Sequence, residues 1–281
     1  MNKNRSVIRA IKTTAPVLSR VAPGLASRWL GRLFLRPLPR KAPAREAQWL
    51  RGATPGWVPY DNERKLRTYT WGDEGPTAVL VHGWGGAGPQ MAAFVEPLRR
   101  AGYRVVAFDH KGHGESDGKI SALPEFARGL AQVAQAVGPI AGVVAHSLGC
   151  AATAIAIDEG LKVERAVFIA PPEDPAIYLN RAADYLQFTR AVAHRTRRRI
   201  ERHFDVSFDR ARISGFAHRL DVPLLVIHDE GDEEVFFWEG KALTESWPNA
   251  RIVATQGLGH RRIVRDPHVV ATGTDFIVQL Q

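Results

Sequence analysis

Two hydrophobic regimes divide this 281-residue chain. Over residues 5–37 the apolar positions Val7, Ile8, Ile11, Leu18, Val21, Leu25, Leu30, Leu33 and Phe34 recur roughly at helical spacing. Arg5, Arg9, Lys12, Arg20, Arg28, Arg32 and Arg36 fill the positions between them. The pattern predicts one or two basic amphipathic helices, interrupted at Pro16 and Pro23 because proline blocks the helix ladder. Pro37, Pro39 and Pro43 predict a linker or wrapped segment beyond them.

From about residue 57 the period changes. Residues 65–71 alternate as a strand does and pair in a predicted hairpin with 57–60. Short apolar runs follow at Ala78–Val81, Arg104–Phe108, Ala141–Ala145, Ala166–Ile169, Leu224–Ile227 and Arg251–Ala254. Segments of helical length, 88–101, 121–137, 148–160 and 238–246, separate them. Continuous apolar strands with helices between them are what a parallel sheet covered on both faces requires. The predicted class is therefore α/β, with a mostly parallel, doubly wound central sheet. Residues 171–219 are too long for a plain crossover and predict a small helical cap, since insertions after strand ends sit over the ligand crevice of such sheets. Within it, Arg195, Arg197, Arg198 and Arg199 read as a solvated helix face. The predicted organisation is an extension over 1–55 and a catalytic domain over 56–281 that carries the cap.

Charge alters the reading of the extension only. The net charge of +9 resembles a nucleic-acid signal until it is located. Residues 1–51 hold 12 Lys or Arg and a single acid, Glu46, so the remainder is slightly acidic and no nucleic-acid partner is expected. No apolar stretch approaches the ~20 residues of a membrane span, and arginines interrupt every candidate signal segment. Three readings of the extension stay open: an arm packed on the body, a peripheral contact of residues 5–37 with an anionic membrane, or a targeting peptide of mitochondrial style. The single cysteine, Cys150, excludes an internal disulfide, and no Cys/His spacing implies a metal.

The chemistry sits in five segments. Residues 141–149, Ala-Gly-Val-Val-Ala-His-Ser-Leu-Gly, run an apolar strand into Ser147 and then into a helix of small residues. A sharp strand-to-helix turn projects the serine hydroxyl and sets a helix N-terminus beneath developing negative charge. Ala145 stands at the first position of G-x-S-x-G. His82-Gly83-Trp84-Gly85-Gly86 follows an earlier strand, so the backbone N–H groups of Trp84 and Leu148 are the candidate oxyanion donors. Asp109–Ser116 forms a bracing loop in which His110 and His113 have structural roles. His228–Val235 offers Asp232 as the acid, with Asp229, Glu233 and Glu234 as rivals. Gly257-Leu258-Gly259-His260 supplies the base. Ser147, Asp232 and His260 follow the chain order expected of a serine nucleophile on this kind of sheet. His146 neighbours the serine, but adjacent strand residues point to opposite faces. Cys150 reads as a small core residue.

VLVHGWGG, FDHKGHGES, VVAHSLG, VIHDEGDEEV and GLGH, in that order from about residue 75, resemble the α/β-hydrolase superfamily, near its lysophospholipase-like and carboxylesterase-like members. Members with a carboxylate nucleophile carry Asp where this chain has Ser147. The departures are Ala145 and Asp229, the latter where a glycine is common. The resemblance implies a cofactor-independent serine hydrolase cleaving carboxylic esters, lipid-like esters among them, through an acyl-enzyme. A thioesterase or amidase with the same triad, or a membrane-associated binding protein with little turnover, are the alternatives. The expected setting is cytoplasmic, with the arm as a peripheral membrane contact.

Overall fold

The computed structural model describes residues 2–38 and 46–279, so Pro39 and Pro43 lie outside the described residues. The chain begins with helices α1 (Asn2–Val21), α2 (Pro23–Phe34) and α3 (Glu46–Trp49). It continues through β1 (Thr54–Pro59), β2 (Lys65–Trp71), β3 (Thr77–Val81), a 3-10 segment (Gly88–Phe94), α4 (Val95–Arg100) and β4 (Arg104–Phe108). Next come α5 (Leu123–Val137), β5 (Ile140–His146), α6 (Leu148–Asp158), β6 (Val163–Ile169), α7 (Pro175–Tyr185) and α8 (Arg190–Phe204). The last elements are β7 (Leu224–Asp229), α9 (Phe237–Ser246), β8 (Ala250–Thr255), α10 (Gly259–Arg262) and α11 (Pro267–Val278).

Two compact units emerge. The larger comprises Pro37–Glu173 and Ile213–Gln281. Its eight strands form one sheet in the order β1-β2-β4-β3-β5-β6-β7-β8. β1 and β2 pair antiparallel as the predicted hairpin, β2 runs antiparallel to β4, and the rest are parallel. The strands β3, β5 and β7 are apolar almost throughout because both faces are covered. Ala78, Leu80, Val144, Val167 and Leu225 pack on one face with Phe94, Leu98, Val269 and Phe276 from the flanking helices. At the junction with α6 on the other face, a Cβ on Gly149 would stand 3.0 Å from the Val81 side chain. Residues 88–101, expected as one helix, split into a 3-10 segment and the short α4, with Pro97 inside the latter.

The smaller unit joins Met1–Arg36 to Asp174–Arg212, so the two segments the sequence treats separately share one core. Ile11, Ala15, Ala26 and Leu30 of the arm pack with Leu179, Val192 and Ile200. α2 and α8 approach closely because small residues face each other: a Cβ on Gly31 would stand 3.6 Å from the Thr196 methyl. The Thr196 hydroxyl also donates to the Ser27 carbonyl at 3.2 Å. Pro16 does not break the arm as expected; α1 runs straight through it. Ile11, Ala15 and Ser19 bury one side of α1 across the proline, and that packing outweighs one lost hydrogen bond. In the preceding turn the Thr13 and Thr14 hydroxyls fold back onto the Ala10 carbonyl at 2.9 and 2.8 Å. Pro23 does divide the helices, standing at the first position of α2, where its missing N–H has no helical partner to lose. The arginine cluster of α8 is only partly solvated, since Arg197 pairs with Glu201 and Asp209 at 2.9 and 2.7 Å.

Candidate active site

Ser147 sits between β5 and α6 at φ 54 and ψ −126, a conformation that an L-residue adopts only under surrounding constraint. Its N–H donates to the Ile169 carbonyl at 2.9 Å, tying the turn to β6. The crowding explains the small neighbours. A Cβ on Gly83 would stand 2.8 Å from the Ser147 Cβ, and one on Gly149 would stand 2.7 Å from the His82 carbonyl oxygen. Ala145, the departure from the usual first glycine, fits because it is fully buried in the strand and carries one methyl.

The three residues singled out for chemistry come together. His260 Nε2 lies 3.0 Å from Ser147 Oγ, and His260 Nδ1 lies 2.8 Å from Asp232 Oδ2. Since a carboxylate only accepts, the imidazole Nδ1 carries the proton and Nε2 faces the hydroxyl as acceptor. Asp232 is held from the other side by the N–H groups of Glu234 and Val235 at 2.8 and 3.0 Å. His228 lies 3.6 Å from the same Oδ2. Burial alone would raise the Asp232 pKa. The contacts from His228, His260 and the Val235 backbone outweigh it and hold the carboxyl well below the usual range. The rivals are elsewhere: Glu234 pairs with Arg261 at 2.7 Å, Glu233 is exposed, and Asp229 has other partners.

Those partners make Asp229 a clamp. Its Oδ2 accepts the Leu258 N–H and the Thr255 hydroxyl, both at 2.9 Å, and its Oδ1 accepts the Gly231 N–H at 3.1 Å. One buried carboxylate thus ties the end of β7 to the segment that delivers His260. Burial raises its pKa, and the Leu258 and Gly259 N–H groups reverse this to a net lowering. His146 also reaches the site, despite its expected orientation. Its Nε2 donates to the His260 carbonyl at 2.9 Å, and burial depresses its pKa to about 3.

The candidate oxyanion loop is braced by a second imidazole. His82 Nδ1 donates to the Gly83 carbonyl at 2.7 Å, and its Nε2 accepts the His110 N–H at 3.0 Å. In a trans peptide the Trp84 N–H points opposite to the Gly83 carbonyl, so pinning that carbonyl orients this donor. Gly83 O also takes the Gly86 N–H at 3.1 Å. Leu148 opens α6, where a backbone N–H has no partner within the helix. His110 stacks on Phe126 at 3.7 Å, and burial holds it neutral, far below its ordinary range. His113, with its pKa depressed to about 4 by burial, lies against Trp84. Asp109 accepts from the N–H groups of Gly88 and Glu115 and from the Tyr69 hydroxyl. The buried Cys150 thiol has its pKa pushed well up by desolvation, which makes it a poor nucleophile. Among the described residues, no cluster of three or more His, Cys, Asp or Glu is arranged to hold a metal.

Residues 78–274 match the model of the alpha/beta hydrolase family, and the chain belongs to that family. "Putative carbamate hydrolase RutD" of Variovorax paradoxus is 30% identical over 120 residues, 40% of this chain and 44% of the relative. Protein phosphatase methylesterase 1 of Mus musculus is 33% identical over 92 residues, 30% of this chain and 24% of the relative. The chain thus spans less than half the length of either. An esterase from Exiguobacterium antarcticum shares the fold, with a TM-score of 0.64 at 14% identity over 80% of this chain and all of the other.

Proposed function

We propose that the protein is a serine hydrolase of carboxylic esters, with lipid-like esters as its substrate class. The observation that carries this is the unbroken chain Ser147–His260–Asp232 on a strained elbow. In the proposed reaction His260 Nε2 takes the Ser147 proton as Oγ bonds to the ester carbonyl carbon. The N–H groups of Trp84 and Leu148 stabilise the oxyanion, and His260 returns the proton to the departing alcohol. His260 next removes a proton from water, whose attack releases the acid and restores Ser147. Asp232 stays ionised throughout, which keeps the Nε2 acceptor tautomer and stabilises the imidazolium.

An apolar acyl group fits the surroundings. Trp84, Ile120, Phe236 and Trp238 are exposed large apolar side chains, and each lies on a segment following the carboxyl end of β3, β4 or β7. Ligands of open α/β sheets bind at that edge. The resemblance to lysophospholipase-like sequences points the same way. The test is hydrolysis of p-nitrophenyl esters of increasing acyl length by wild type and Ser147→Ala. Expected is activity abolished in the variant and highest towards medium or long chains. A thioester, an anilide and an aryl carbamate complete the panel, and turnover of one of these alone would overturn the ester reading.

A further inference from the structure

The smaller unit carries the entire positive excess of the chain. It holds 17 of the 38 Lys and Arg residues but only five of the 29 acids, a net charge of +12 that leaves the larger unit at −3. No acid precedes Glu46, so α1 and α2 contain nothing to neutralise their basic residues. On α8, Arg195, Arg198 and Arg202 are exposed as well.

The outer face of α1 has a second property. Its apolar side made by Ile11, Ala15 and Leu18 is consumed in the core of the unit. A separate row, Val7, Ala10, Thr14, Val17 and Val21, repeats at steps of three and four residues and stays in solvent. Val7, Val17 and Val21 are 58, 59 and 74% exposed, and Leu25 at the start of α2 is 57% exposed. Arg9 and Arg20 border this row along the exposed side, whereas Arg5 and Lys12 turn away from it towards α7. Between α1 and the end of α7 lies an open groove of about 330 Å³, lined by Arg5, Arg9, Lys12, Tyr185 and Gln187 among others. The Lys12 ammonium sits 3.8 Å from the Tyr185 ring centroid, which holds it at the groove wall.

We infer that this unit docks on an anionic phospholipid surface, with the valine row of α1 against the acyl boundary and Arg9 and Arg20 beside it on lipid phosphates. A polyphosphate such as nucleic acid would satisfy the charge but leave the valine row in water. A bilayer surface uses both, since interfacial binding combines buried apolar area with attraction to anionic headgroups. The row is short and its residues small, so charge supplies most of the affinity.

The test is co-sedimentation of the full chain with vesicles of phosphatidylcholine alone or mixed with phosphatidylglycerol, at low and high salt. Binding is expected only to the mixed vesicles and is expected to fall steeply with salt. The triple variant Arg9→Gln/Lys12→Gln/Arg20→Gln should partition about a hundredfold more weakly, at roughly fivefold per charge. Val17→Ser/Val21→Ser should lose a few-fold at low salt. Both variants keep wild-type turnover of a water-soluble ester, which reports independently that they are folded. No binding by wild type, equal binding to neutral vesicles, or an undiminished triple variant would overturn the inference. So would preferential binding of single-stranded or duplex oligonucleotide over the mixed vesicles.

Discussion

The two units solve the problem of burying a helix in opposite ways. In the larger one, helices cover a sheet whose strands are apolar on both faces, and the buried imidazoles and aspartates gather at the carboxyl ends of the strands, as Ser147 does. In the smaller one, four helices cover each other through small residues, Gly31, Ala26 and Ser27 among them, and the polar groups spread over the outside as arginine. The first arrangement organises a few charges tightly enough to shift their pKa values; the second leaves charge exposed, where salt screens it. The proposed chemistry and the proposed surface docking should therefore be separable by mutation.

The largest effect expected is on chemistry. Ser147→Ala should lower kcat by roughly 10⁶, as loss of a triad nucleophile does, while leaving vesicle partitioning unchanged. Ester turnover and co-sedimentation on the same preparation check both halves. If the variant also lost vesicle binding, the separation of the two units' roles would fail.

Acid should act next, and on the larger unit. His110 and His113 are buried and neutral when folded, and both have pKa values depressed from the ordinary 6.5 by burial. The unfolded chain binds protons there that the folded chain refuses, so stability falls as pH drops below about 6.5. Two such groups give a slope of ~3 kcal/mol per pH unit near pH 5; His146 adds in the same direction, and Asp109, whose pKa burial raises, opposes them with at most one group's share. The depressed Asp232 contributes stability that is present above its unfolded value near 3.8 and is lost only at stronger acid. Urea titrations between pH 7 and 4.5 measure the slope, and a flat profile would contradict the buried neutral state of these imidazoles.

In the smaller unit the comparable perturbation is a cavity. Leu30→Ala removes a fully buried side chain from the arm and should cost ~2–5 kcal/mol, read as a lower thermal midpoint. Below that midpoint, kcat on a soluble ester should stay at the wild-type value. A fall in kcat with unchanged stability would give the arm a part in the reaction.

The same contrast decides what the sequence disclosed. Strand runs such as Ala78–Val81 and Leu224–Ile227 are legible because a doubly covered strand needs a continuous apolar stretch. The segments bearing Ser147, Asp232 and His260 are legible because tight turns demand fixed small residues. The packing of α1 and α2 on α7 and α8 is not legible, because amphipathic helices fit many partners and no local signal names the right one. Pro16 misleads for a related reason, since a local penalty is overridden by burial of Ile11, Ala15 and Ser19 on both sides of it. His146 shows the limit of strand alternation, which fails at the last residue before a sharp turn.

Asp229 is the smallest of these effects and the sharpest test of how the larger unit holds its chemistry. It appears in the sequence only as a departure, an acid where glycine is common, and as a rival to Asp232. In the structure the two aspartates share neither partners nor roles. Asp232 meets the imidazole, while Asp229 fastens Leu258 and Thr255, two and five residues before His260. Asp229→Asn keeps the volume but replaces one accepting oxygen by a donor, which faces an N–H or a hydroxyl already committed to donating. The expected result is a 10–100-fold fall in kcat with KM little changed, because the variant misplaces the base without altering the acyl contacts. Asp229→Gly, the common residue, should retain more activity than Asp229→Asn, since it leaves space for water to bridge the Leu258 N–H. If both variants match wild type, the clamp has no part in placing His260. If Asp229→Asn falls as far as Asp232→Asn, about 10⁴-fold, the two carboxylates act on the imidazole together.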